Sequence, residues 1–143
     1  YDGRGVWLPL IEPSLPHLDI VFSSLEEARN YTGCNEVEAI ADFYLSYGVQ
    51  IAVIKLGAEG MYVKGRGQSL RLPAHRVSRV VDTTGAGDAA CGAFLYGYTH
   101  GWDLERCGRL ANAVGGLTVQ RMGGSEAVET LDKTVAFMES LHD

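Results

Sequence analysis

Cysteine is scarce in this sequence: Cys34, Cys91 and Cys107 are the whole complement. An odd number without metal-type spacing argues against a disulfide framework or a zinc module. Cys91 and Cys107 fall in helical patterns and read as small buried apolar groups in a reducing compartment. Proline is nearly as sparse, and Pro9, Pro13 and Pro16 all sit near the start, where they punctuate a connector. Positive charge is in deficit: 12 Lys and Arg face 18 Asp and Glu, for a net charge of −6. That argues against a track for nucleic-acid phosphates. No apolar run approaches the roughly 20 residues a membrane-spanning helix needs, and no leader-like pattern opens the sequence. The expectation is a cytoplasmic protein with no membrane partner. Repeats and low-complexity stretches are also absent. What is present is ordinary: 143 residues, 46% apolar and 21% charged, enough for one domain with a core.

Glycine, by contrast, is plentiful, and its placement carries chemistry. Asp82-Thr83-Thr84-Gly85-Ala86-Gly87-Asp88 lies between a strand-like run, Arg79-Val80-Val81, and a helical run, Ala89 to Tyr98. Glycines there let backbone approach a ligand, and first-turn amides lack helical acceptors. With the helix dipole this makes an anion site. Asp88 at its edge would repel a phosphate unless it faces an acceptor hydroxyl while the amides hold a transferring phosphoryl group. Such chemistry needs positioning and charge stabilisation more than covalent help. The plainer alternative is a glycine-rich turn with an N-capping Asp.

This D-T-T-G-A-G-D stretch resembles the signature of the ribokinase family, the PfkB-type carbohydrate and nucleoside kinases. The resemblance implies that Asp88 is the catalytic base and that Gly85, Ala86 and Gly87 form the anion hole. It implies an α/β fold, the ribokinase-like three-layer α/β/α type, with residues 1–143 as its C-terminal, nucleotide-binding portion. The N-terminal half, with most of the substrate pocket and the lid, is expected to lie outside this sequence. It further implies ATP and Mg2+ as cofactors, a sugar as small-molecule partner, and a homodimer through the lid in the full-length protein.

Other segments fit the same resemblance. Asp2-Gly3-Arg4-Gly5-Val6-Trp7 resembles a family segment whose Arg reaches the acceptor, so Arg4 is a substrate candidate; a solvated Arg is the alternative. Leu18 to Phe22 reads as a short strand. Ser24 to Glu27 is S-x-x-E, a capping box, and Gly33 is a natural stop. The family carries N-x-x-E there, with the Glu ordering magnesium through water; Ser24 and Glu27 inherit that role by resemblance. Glu36 to Tyr47 is an amphipathic helix, and Gln50 to Leu56 a central strand. Lys55-Leu56-Gly57-Ala58-Glu59-Gly60 follows at its C-terminal end, where open α/β sheets bind ligands. The family's similar turn lies along the ATP phosphates, which assigns Lys55, Gly57 and Gly60 to the nucleotide; a plain hairpin turn is the alternative. Met61–Lys64 and Gln68–Pro73 read as antiparallel strands around Gly65-Arg66-Gly67. His75 reads as a loop residue without a nucleophile to serve.

After the signature, the helix is expected to end near His100-Gly101, with Asp103 capping the next. Asn112-Ala113-Val114-Gly115-Gly116 offers small residues to a flat ring. The resemblance places Asn112 beside adenine; a glycine-mediated helix–helix contact is the alternative. Thr118 to Gly124 resembles the run that, in cation-dependent members, surrounds potassium with backbone carbonyls. The implied K+ ligands are Asp82, Thr84, Thr118, Arg121 and Gly123. Thr130 to Leu141 reads as a closing amphipathic helix. The function implied is ATP-dependent phosphorylation of a hydroxyl of a sugar or sugar acid. Nucleoside phosphorylation and a non-catalytic nucleotide-binding role are the alternatives.

Overall fold

The run Ile51-Ala52-Val53-Ile54 has apolar groups on both faces of a strand, and all four residues are buried, as a central strand covered on both sides requires. A computed structural model, describing residues 7–140, places it as β2 (Ile51–Lys55). β1 (Ile20–Ser24) pairs parallel to β2, and β3 (Met61–Gly65) pairs antiparallel on its other side. β4 (Gln68–Leu72) completes the order β1-β2-β3-β4. Arg66 and Gly67 turn β3 into β4 with φ of 51° and 73°, the positive pair that a type I′ hairpin needs.

Before the sheet come a short helix α1 (Leu8–Ile11) and a single 3-10 turn at Leu15–His17. Between β1 and β2 run α2 (Leu25–Thr32) and α3 (Val37–Ser46). Their inner faces meet the sheet through Ala28, Ile40, Ala41 and Tyr44, which pack with Ala52, Ile54 and Tyr62. The Lys64–Asp42 ion pair joins β3 to α3 at the surface. α2 starts and stops where the local chemistry dictates. Ser24 Oγ accepts from Glu27 N at 3.2 Å, and Glu27 Oε2 accepts from Ser24 N at 2.8 Å. Gly33 ends it at φ 72°.

The remainder is helical: α4 (Ala86–Thr99), α5 (Leu104–Thr118) and α6 (Leu131–Glu139). Asp103 caps α5 through Arg106 N at 2.7 Å, and Thr130 caps α6. Leu110, Ala113 and Met138 form a small core with Ala93, Trp102, Val135 and Phe137 around it. No disulfide joins Cys34, Cys91 and Cys107.

The chain divides into two compact units, Tyr1–Arg71 and Leu72–Asp143. One expectation is corrected. Arg79-Val80-Val81 is not a strand. Val81 N and Asp82 N both bond to Val119 O, at 2.7 and 3.2 Å, and no ladder partner lies alongside among the described residues. β-branched residues favour extension, but a strand needs a neighbour to pair with.

Candidate active site

In the second unit, the signature turn is built by short-range bonds. Asp82 Oδ1 accepts from Thr84 N at 2.9 Å. That amide, with Gly123 N–H adding to it, holds the Asp82 carboxyl below its usual range. Ala86 N bonds to Thr83 O at 3.3 Å, and Ala89 N to Gly85 O at 2.9 Å. The Gly87 and Asp88 amides have no acceptor among the described residues, so the first turn of α4 presents two open donors.

Gly85 enters α4 at φ 74°. A Cβ there would stand 3.2 Å from Gly124 Cα, so two glycine turns meet at backbone contact. Together they wall an open depression of about 650 Å³, lined by Asp82, Thr84, Gly85, Asp88, Ala89, Gly123, Gly124, Ser125 and Val128. Asp88 is exposed on this surface. Asp88, with a carboxylate and an open amide, thus borders the depression, an arrangement suited to holding an anion and taking up a proton beside it. Gly124, Ser125 and Val128 were not singled out from sequence. Their signal was weak, because only folding brings a turn some 40 residues away against Gly85.

Of the residues expected to hold potassium, Asp82, Thr84 and Gly123 line that depression. Thr118 is buried, its Oγ1 has no partner, and its carbonyl accepts Arg121 N at 3.2 Å. The Arg121 side chain turns away to an ion pair with Glu129, which also binds Lys133 at 3.2 Å.

Asn112 is buried, and its Nδ2 donates to Leu72 O and Pro73 O, both at 3.0 Å. Its amide therefore ties α5 to the segment following β4. The neighbouring glycines are packing positions. A Cβ on Gly115 would lie 3.9 Å from Ala86 O and Ala90 Cβ, and one on Gly116 would lie 3.3 Å from Val77 Cγ1. Gly115 thus faces the start of α4, and Gly116 faces the segment around Val77. His75 packs on Phe137 at 5.3 Å with Nε2 buried and unpartnered. Burial, reinforced by Arg109, pushes its pKa down.

In the first unit, Ser24 and Lys55 are register partners at the C-terminal ends of β1 and β2. The Ser24 backbone amide, then its hydroxyl and the Lys55 charge, hold the Glu27 carboxyl below its usual range. Lys55 makes no ion pair among the described residues. The turn after it is a 3-10 turn at Gly57–Glu59, closed by Leu56 N to Gly60 O at 2.8 Å, with φ of 60° at Gly57 and 97° at Gly60. Arg4 lies outside the described residues. No group of three or more His, Cys, Asp or Glu among the described residues is placed to hold a metal ion.

Residues 6–131 match the model of the pfkB family carbohydrate kinases. The chain belongs to that family. It is 36% identical over 122 residues to a 2-dehydro-3-deoxygluconokinase of Bacillus subtilis, covering 85% of this chain and 38% of that protein. A structure from E. coli, described as a ribokinase II in complex with ATP and Mg2+, superposes with a TM-score of 0.84 at 27% identity. That match covers 96% of this chain and 46% of the other. A Burkholderia thailandensis nucleoside kinase in complex with inosine gives a TM-score of 0.81 at 30% identity, over 96% of this chain and 46% of the other. The fold is therefore the ribokinase-like α/β type. The chain spans about two fifths of the length of the curated relatives it matches.

Proposed function

We propose that this pfkB-family chain is the C-terminal, nucleotide-handling part of an ATP-dependent kinase that phosphorylates a hydroxyl of a sugar or sugar acid. The observation that carries the proposal is the depression itself: Asp88, whose amide has no acceptor among the described residues, borders it together with Gly85 at the start of α4. The similarity to a 2-dehydro-3-deoxygluconokinase supports a sugar acid as the substrate class.

The residues present fit the cofactors. ATP supplies the phosphoryl group, and Mg2+ neutralises charge on its oxygens. Magnesium binds through few carboxylates, phosphates and water, which suits a site offering Glu27 rather than a cluster of acids. Lys55, Gly57 and Gly60 lie along the nucleotide, with Lys55 directing a fixed charge to its phosphates. Asn112 is the adenine-side residue that the family resemblance implies, its Nδ2 held by Leu72 O and Pro73 O. The Gly87 and Asp88 amides at the Gly85-Ala86-Gly87 turn meet the charge that develops during transfer. Asp88 orients the acceptor hydroxyl and takes its proton; a modest base suffices for a loose transition state. The family resemblance assigns Arg4 to the acceptor. A potassium ion held by carbonyls of Asp82, Thr84, Thr118, Arg121 and Gly123 would stiffen the turn, and hard oxygens suit such an ion. The protein acts in the cytoplasm as a homodimer.

Asp88→Asn in the intact protein keeps the side chain's shape and removes its basicity. Turnover should fall at least about 100-fold, with ATP affinity measured by calorimetry unchanged. Turnover like the wild type would refute the assignment. A nucleoside acceptor is the second reading, favoured by the structural likeness to the inosine-bound kinase. A phosphorylation screen across sugar acids, sugars and nucleosides separates the two.

A further inference from the structure

Between the end of α5 and the start of α6 the chain leaves the helix pair, lines the depression beside Asp88, and returns. Gly123, Gly124, Ser125 and Val128 lie on that excursion and form one wall of the depression. Its own backbone bonds are short-range: Glu126 N donates to Gly123 O at 3.0 Å, and Val128 N to Ser125 O at 3.3 Å. Gly123 and Gly124 have φ of 112° and 53°. Ala127 is buried, but Met122 and Val128 are exposed. So glycine-rich a loop holds one position only if something closes it. The closure is ionic. The Arg121 guanidinium, on the way out, pairs with the Glu129 carboxylate, on the way back. The other oxygen of Glu129 takes Lys133 Nζ at 3.2 Å. Each side of the pair is rooted in a helix end. Arg121 N bonds to Thr118 O, the last residue of α5, at 3.2 Å. Glu129 directly precedes Thr130, the cap of α6. The Glu129 side chain is only 13% exposed, so this carboxylate between two cations is less screened than a freely solvated pair.

We propose that Glu129 is a positioning residue for phosphoryl transfer: with Arg121 it clamps the neck of the 122–128 loop and so holds the Gly123-Gly124 turn against Gly85. A Cβ on Gly85 would lie 3.2 Å from Gly124 Cα, and one on Gly124 would lie 3.7 Å from Thr84 O. The two turns therefore meet backbone to backbone, and their separation follows the position of the loop as a whole. With the neck open, the turn can draw back from the first turn of α4, and the depression loses the wall facing Asp82 and Thr84. Lys133 supports the clamp from one turn inside α6. The inference rests on the reading of the Asp88 depression as the catalytic site. It adds an ion pair whose residues are not among those lining that depression.

The test compares Glu129→Gln, Arg121→Gln and the double variant in the intact protein, with Asp88→Asn as the reference for the site itself. Glu129→Gln keeps the shape and removes the charge. It should lower kcat about fivefold, the scale of one well-formed ion pair, with the ATP KM unchanged and the thermal midpoint within about 5 °C of wild type. The double variant should be no worse than Glu129→Gln, since both remove the same contact. A second readout needs no activity. Trypsin can cut after Arg121, at the neck of the loop, and such cutting follows the population of the open form. Glu129→Gln should speed cleavage at that bond about fivefold, as mapped by mass spectrometry. Unchanged cleavage there overturns the clamp. Faster cleavage with wild-type kcat, while Asp88→Asn is inactive, overturns the positioning role and leaves the site reading intact. Wild-type turnover in Asp88→Asn overturns the site reading and the positioning role with it, and the cleavage rate then still decides whether the clamp exists.

Discussion

Gly85 and Gly101 form a controlled pair within the second unit. Both sit in the left-handed region, at φ 74° and 77°. A Cβ on Gly101 would meet nothing within 4 Å, whereas one on Gly85 would stand 3.2 Å from Gly124 Cα. Gly101→Ala thus measures the conformational penalty alone, about 1 kcal/mol once the lower entropy of the unfolded chain is set against it. Gly85→Ala adds a contact to backbone, which cannot swing aside as a side-chain end does. A further ~1 kcal/mol from forced displacement brings the total near 2 kcal/mol, roughly thirtyfold in the folding equilibrium. Urea unfolding followed by circular dichroism resolves that difference if the slope is unchanged. The variants should also part company in function. Gly85→Ala pushes the 123–125 turn off the first turn of α4 and lowers kcat, while Gly101→Ala, beyond the far end of α4, leaves kcat alone. Equal losses of stability in the two variants would refute the backbone contact between the glycine turns.

Asn112→Ala should cost about 2 kcal/mol, because it strips the donors from two carbonyls at Leu72 and Pro73. Asn112→Asp should be at least as damaging, since it aims acceptors at acceptors; denaturant titration of both checks this, and a residue that served only a bound base would show no loss. His75 predicts a pH dependence. Its folded pKa lies below the usual 6.5, so the unfolded chain takes up the proton first as pH falls. Its neutral form supports folding fully above pH 6.5, and that support is lost as pH drops through 6.5 toward the folded value. Thermal midpoints across pH 8 to 5 should fall in that window, and His75→Phe, which keeps a ring against Phe137, should flatten this part of the profile.

Features closed within a few residues were legible in the sequence. The capping box at Ser24 and Glu27, the stop at Gly33 and the Asp103 cap each depend on groups no more than four positions apart. The same holds for the apolar run of β2, whose burial on both faces is written in its composition. What sequence could not supply was distance-spanning. Asn112 finds its carbonyl partners about 40 residues upstream, and nothing local marks a buried amide as a brace rather than a ligand contact. Val80 and Val81 have strand composition but no neighbour to complete a ladder. Ser125 reaches the depression because Gly124 lies against Gly85, a match of two flexible turns that neither turn announces alone.

The Val119 carbonyl, receiving both Val81 N and Asp82 N, has a mechanical consequence. One oxygen at the tail of α5 anchors the lead-in to the glycine turn, so that turn inherits the orientation of the helix end behind it. Lengthening or shortening α5 by one residue would swing that anchor by about 100° around the helix axis. The spacing between Asp103 and Val119 is therefore a built-in gauge, and insertions in this helix should be far less tolerated than insertions in the exposed Arg66–Gly67 corner.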